Sequence, residues 1–171
     1  MKCMVIDGNS IINRAYYGIR PLTNREGLYT HAVFGFLTTL LRLKEEERPD
    51  ALCVTFDLHA PTFRHKADEA YKATLIGTIS RKCEAAGWDC VVVTGDKDSL
   101  QLITDHTKVK LVSTRMGQTT TKDMTPETFR EQYGFEPIHM IDLKALMGDT
   151  SDNIPGVPGV GEKTAMDLIQ K

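Results

Sequence analysis

Asp7, Asp57, Asp96 and Asp98 close three short apolar runs: KCMVID (Lys2 to Asp7), ALCVTFD (Ala51 to Asp57) and CVVVTGDKD (Cys90 to Asp98). A lone aspartate after a strand is usually a turn residue, because Asp favours turns. Three runs of one design ask for more. In an open parallel sheet the ligand crevice lies outside the carboxyl ends of the strands. Such a sheet would carry these distant carboxylates to one place. There they repel, and burial sharpens the repulsion. A hard divalent cation with oxygen ligands relieves it. No His or Cys accompanies the set, so Mg²⁺ or Mn²⁺ suits it better than zinc. Aspartates at strand ends also occur in haloacid-type phosphatases and response-regulator receivers. The phosphatase pattern wants a second Asp two residues after the first, and Asn9 stands there.

A second constellation lies near the end of the chain, in GDTSDNIPGVPGVGEK (Gly148 to Lys163). Its glycines permit positive φ and close backbone approach, and a helix follows. Loop and helix N-terminus can then aim several N–H groups at one phosphate, with Lys163 and Thr164 adding contacts. Such contacts read a nucleic-acid backbone rather than its bases. An ordinary helix–turn–helix connection would look similar. Asp149 and Asp152 in the same loop favour the functional reading.

The elements that must position these residues follow from pattern. Continuous rather than alternating apolar character predicts strands buried on both faces of a parallel sheet. Helical stretches fall between them, at His31 to about Glu47 and at Leu75 to Ala86, with Gly87 as a stop. Lys108 to Val112 predicts a fourth strand. Thr125 caps a helix with Pro126 in its first turn. Helices over Pro126–Tyr133, Pro137–Met147 and Glu162–Gln170 complete the chain. The expectation is an α/β fold with a doubly wound, mostly parallel sheet over residues 1–124, and a helical subdomain over 125–171.

Composition bounds the reading. The chain has 171 residues, enough for one domain or one domain and a small appendage. Apolar residues make up 41% and charged residues 26%, so a real core is possible. No apolar run approaches the roughly 20 residues of a membrane span, and no signal peptide is expected. Cys3, Cys53, Cys83 and Cys90 form no metal pattern. Cys3, Cys53 and Cys90 lie in or beside apolar runs, which predicts buried, reduced thiols in a cytoplasmic protein. The formal charge of −2 does not announce a nucleic-acid binder, but it permits one if the acids gather at a metal site.

MVIDGNS, CVTFD, FRHKADEAYKA, VTGDKDSLQLI and GDTSDNIPGVPGVGEKTA together resemble the 5′-nuclease (flap endonuclease) family. The match runs in the family's order over nearly the whole chain, and is nearest to the polymerase-linked 5′→3′ exonucleases of bacteria. The resemblance implies a PIN/resolvase-like sheet with a helix-three-turn-helix. It implies that Asp7, Asp57, Asp96, Asp98, Asp149 and Asp152 serve a site for two Mg²⁺ or Mn²⁺ ions. It assigns Lys72, Arg64 and Tyr71 to the scissile phosphate and its neighbourhood. Gly156, Val157, Gly159, Val160, Gly161, Lys163 and Thr164 fall in the segment that grips duplex DNA and holds a K⁺ ion. The implied partners are 5′ flaps, nicked or branched DNA and a linked polymerase domain, with no membrane.

One departure qualifies this. The family carries a helical arch and then an acidic E-A-D-D cluster before the stretch matching Leu75 to Thr78. Here Ala73-Thr74 runs straight into Leu75. A catalytically impaired module that binds DNA structures is therefore a rival reading, and a phosphatase-like α/β enzyme is a second.

Overall fold

The computed structural model describes residues 1–56, 71–150 and 153–171, with the backbone alone for 71–74. Five strands form one sheet in the order β2-β1-β3-β4-β5. β1 (Lys2–Asp7) pairs in parallel with β2 (Ala51–Thr55) on one side and β3 (Asp89–Thr94) on the other. β3 pairs in parallel with β4 (Thr107–Arg115), and β4 pairs antiparallel with β5 (Gln118–Met124). The chain leaves β1 towards β2 and returns past it to β3. The switch point of the sheet therefore lies at the carboxyl ends of β1 and β3.

Alternation within the strands builds two cores. Met4, Ile6, Val91 and Val93 face α1 (Gly8–Gly18) and α2 (His31–Glu47), where Ile11 and Leu43 complete a buried cluster. Cys3, Val5, Cys90, Val92 and Val109 face the other way, onto α3 (Tyr71–Ala85) through Ile76 and Cys83. The second cluster continues through Phe129 of α4 (Pro126–Tyr133), Met140 and Leu143 of α5 (Met140–Met147) and Ala165 of α6 (Glu162–Ile169). Helices thus cover both faces, as a doubly wound sheet requires.

Several expectations need correction. β2 is an edge strand, with Leu52 43% exposed, so its apolar run does not mean burial on both faces. Cys53 on that strand is only half-buried, whereas Cys83 is buried. α1 is an element the apolar runs did not mark; it buries Gly8, Ile11 and Ala15. β5 is polar and was not foreseen. It returns from β4 through Met116 and Gly117, both at positive φ, as a two-residue hairpin turn demands. The stretch from Pro137 opens as a 3₁₀ turn, Pro137–His139, before α5. Among the described residues no helix is long and apolar enough to cross a membrane.

Candidate metal centre and nucleic-acid interface

Asp7 ends β1 and caps α1. Its Oδ1 accepts from the Ser10 N–H at 3.0 Å, and its Oδ2 accepts from the Thr94 hydroxyl at 2.9 Å. Thr94 is fully buried at the end of β3, and its Oγ1 also accepts from the Asp96 N–H at 3.0 Å. One hydroxyl therefore ties Asp7 to Asp96. Asp96 caps the 3₁₀ turn Lys97–Leu102 by accepting from the Asp98 N–H at 3.0 Å. The Gly95 N–H, between them, donates to Ser10 Oγ at 2.9 Å.

Asp98 and Asp149 meet across the ammonium of Lys144, which bridges both. Asp149 follows Gly148 at the end of α5, and an antiparallel bridge between Asp149 and Ile154 closes the loop behind it. The α5 loop thus delivers a carboxylate to the acids at the sheet edge. No strand pattern could have predicted that meeting.

Burial raises the carboxyl pKa of Asp96. The Asp98 N–H opposes the rise, the Asp98 charge adds to it, Lys144 opposes it and Asp7 adds a little more. Part of Asp96 faces solvent, so the packed atoms around its carboxyl group do this rather than full enclosure. The donors are all oxygen, they carry excess negative charge, and a cationic head group already sits between two of them. That chemistry fits a hard divalent cation. Among the described residues no three candidate ligands stand close enough to hold a metal as they are. Asp57 and Asp152 lie outside the described residues, so Asp7, Asp96, Asp98 and Asp149 are part of the expected set. Arg64 also lies outside them. Tyr71 and Lys72 begin α3, and only their backbone is described.

In the glycine loop, Gly156 and Gly159 have positive φ, at 66° and 81°. A Cβ on Gly156 would run into the backbone of Gly148, whereas Gly159 has open space around it. Gly161 differs from expectation. It is the N-cap of α6 at φ −92°, a conformation open to any residue. Val157 is 45% exposed, Val160 is half-buried against the core, and Lys163 and Thr164 are exposed on the first turn of α6. Sequence reasoning missed Lys144, Thr94, Ser10 and Arg14. Only Ser10 left a signal, as the third residue after a capping Asp.

A family model described as 5′-3′ exonuclease, N-terminal resolvase-like domain, matches residues 2–74 and 75–134. A second, 5′-3′ exonuclease, C-terminal SAM fold, matches residues 135–171. The chain belongs to the 5′-3′ exonuclease family. The chain is 38% identical to a DNA polymerase I of Bacillus subtilis over 99% of its own length and 23% of the relative's. It is 37% identical to one of Mycobacterium leprae over 97% of its length and 22% of that protein. The chain therefore spans about a quarter of these relatives. The Bacillus alignment extends over 206 positions against 171 residues here, so at least 35 positions are gaps in this chain. The N-terminal family match breaks between residues 74 and 75.

A bacteriophage T5 flap endonuclease solved with DNA and metal ions shares the fold at TM-score 0.67 and 17% identity, over 99% of this chain and 75% of that one. Human GEN1 in complex with Holliday junction DNA does so at TM-score 0.52 and 18% identity, over 99% of this chain and 49% of that one.

Proposed function

We propose that this chain is the phosphodiesterase module of a 5′-nuclease acting on 5′ flaps, nicks and branch points in DNA. The observation that carries the reading is the gathering of two carboxylate pairs at the switch point of the sheet, Asp7 and Asp96 tied through the Thr94 hydroxyl, and Asp98 and Asp149 bridged by the Lys144 ammonium. Asp57 and Asp152 complete the set by their motif positions. Two Mg²⁺ or Mn²⁺ ions held by these carboxylates would supply Lewis acidity and a bound water of lowered pKa. The T5 enzyme solved with metal ions supports this.

The chain's own residues do the rest. Ser10 and Thr94 hold the Asp7 carboxylate in one orientation, and the Asp98 N–H holds Asp96. Lys72 offsets charge on the scissile phosphate, beside Tyr71 and Arg64. Gly156, Val157, Gly159, Val160, Gly161, Lys163 and Thr164 hold duplex backbone, with a K⁺ ion in the loop. Of the two parts, 1–124 supplies most of the acids, while 125–171 supplies the grip and adds Asp149 and Asp152 to the metal set. The DNA polymerase I relatives support a linked polymerase domain and a cytoplasmic setting.

The gap after residue 74 supports a second reading for these 171 residues, an impaired module that binds DNA and cuts it poorly. We assign to the gap the arch and the E-A-D-D carboxylates. The test uses flap and nicked-duplex substrates with Mg²⁺ or Mn²⁺ and protein whose measured mass is 19.1 kDa. Weak cleavage with retained binding is expected. Robust metal-dependent cleavage would show that the missing carboxylates are dispensable and overturn their part in the two-ion site. Absence of both binding and cleavage would overturn the nuclease reading. A mass heavier by several kilodaltons would show that the segment exists, and full activity is then expected.

A further inference from the structure

Arg14 takes part in none of the roles assigned above, yet it reaches the centre of the site. Asp7, Ser10 and Arg14 lie at i, i+3 and i+7, so they share the face of α1 turned to the end of β3. Asp7 and Ser10 make the contacts to Thr94 and Gly95 already described. Arg14 adds the next: its Nη2 donates to the carbonyl oxygen of Gly95, the residue before Asp96. Its Nε is buried with no hydrogen-bond partner among the described residues. An unpartnered buried donor carries a cost, and such a group persists where the guanidinium is held in place for another reason.

Gly95 supplies a second, independent observation. A Cβ built there would fall inside the Arg14 guanidinium, with Nε, Cζ and Nη2 as its nearest atoms. Gly95 is not among the glycines of positive φ, so its backbone does not demand glycine. A side chain there would instead force the Arg14 guanidinium to move. The guanidinium occupies the space that a Cβ at position 95 would take.

We propose that Arg14 is a positioning residue for the metal centre, acting through the Gly95 carbonyl to fix the turn that presents Asp96. Ser10 grips the N–H of Gly95 and Arg14 grips its C=O, so that peptide segment is clamped from both sides. The carboxylate of Asp96 then stands in its binding orientation before any ion arrives. This deepens the nuclease reading and rests on it, because it presupposes that Asp96 binds a divalent ion.

The experiment measures Mn²⁺ affinity by titration calorimetry on the full chain, with melting curves taken without metal. Arg14→Met, Arg14→Lys, Gly95→Ala and the Arg14→Met/Gly95→Ala double variant are compared. Residues that orient metal ligands typically cost about 10- to 100-fold in affinity when removed. Arg14→Met and Gly95→Ala should each weaken Mn²⁺ binding about tenfold or more while the metal-free melt stays cooperative. The lysine variant should recover part of the loss, since its ammonium can still meet the carbonyl. In the Arg14→Met background, Gly95→Ala should cost nothing further, because the space it invades is already vacated. A merely structural role would instead lower the metal-free melt in step with the loss of affinity. Unchanged Mn²⁺ affinity in folded Arg14→Met, or fully additive losses, overturns the proposal. If Arg14→Met does not fold, Gly95→Ala decides, and unchanged affinity there overturns it equally. A wild-type chain that takes up no Mn²⁺ overturns the metal reading itself, and the role of Arg14 with it.

Discussion

Lys144 shows how one side chain can stand in for a cation. Its ammonium bridges Asp98 and Asp149, and those two charges, through hydrogen bonds and direct attraction, outweigh burial and raise its pKa. Without it, two carboxylates would face each other across a partly buried cleft. Replacing Lys144 with Met should lower metal-free stability by about 1–3 kcal/mol, the usual cost of stranding buried polar groups. Mn²⁺ should restore more stability to this variant than to the wild type, since a divalent ion and the ammonium answer the same charge. Melting curves with and without Mn²⁺ check this. An equal gain in both proteins would show that Lys144 does not share the ion's ground.

The elements are joined by a charge network away from the site. Lys110 of β4 is 7% exposed at its side chain and contacts Glu47 of α2 at 2.9 Å and Asp123 of β5 at 2.7 Å. Lys108 contacts the same two acids. Burial alone would raise the Glu47 and Asp123 carboxyls, but hydrogen bonds and charge from the two lysines outweigh it and lower both. Burial would lower Lys110, and the same bonds raise it instead. The acids therefore stabilise the fold above their unfolded pKa values, near 4, and that contribution is lost as pH falls through their lower folded values. Lys110 contributes below its unfolded value, near 10.4, and that part is lost as pH rises through its higher folded value. Denaturant unfolding should show a plateau from about pH 5 to 10 with losses on both sides. Lys110→Met should cost about 1–3 kcal/mol, because the buried Glu47 carboxylate loses one of its lysine partners, and should flatten the alkaline limb. A second element test is Phe129→Ala. This ring is fully buried and stacks on Tyr133 at a centroid distance of 4.5 Å, so about 3–5 kcal/mol should be lost.

At the scale of the whole molecule, the proposed grip by the glycine loop predicts a loss of DNA binding that leaves Asp96 and Asp98 untouched. Gly159 sits at φ 81°, where a side chain costs about 1–2 kcal/mol of backbone strain. Gly159→Val should weaken duplex binding about tenfold, alike for all sequences, while Mn²⁺ affinity at Asp96 and Asp98 holds. Gly161→Ala should be tolerated by the backbone, since its φ is ordinary. Binding measured over a range of salt concentrations checks both. Unchanged affinity in folded Gly159→Val would remove the loop as the anchor.

The sequence by itself determined the strands that end in aspartate, the helices from His31 and Pro126, and the family, because those signals are local in the chain: apolar runs, caps and motif spacing. Its local patterns left α1 and β5 unread. In α1 three small or apolar contacts suffice against a covered sheet face, and β5 is held by pairing and by lysine–carboxylate contacts rather than by apolar alternation. The site divided in the same way. Asp7, Asp96 and Asp98 were legible as strand-end residues. That Lys144 would stand between Asp98 and Asp149, that Thr94 would tie Asp7 to Asp96, and that Arg14 would fill the space beside Gly95 depends on contacts between residues tens of positions apart. Only the packing of α1 and α5 against the ends of β1 and β3 decided those meetings, because a side chain's partner is set by where its element docks and not by its neighbours in the chain.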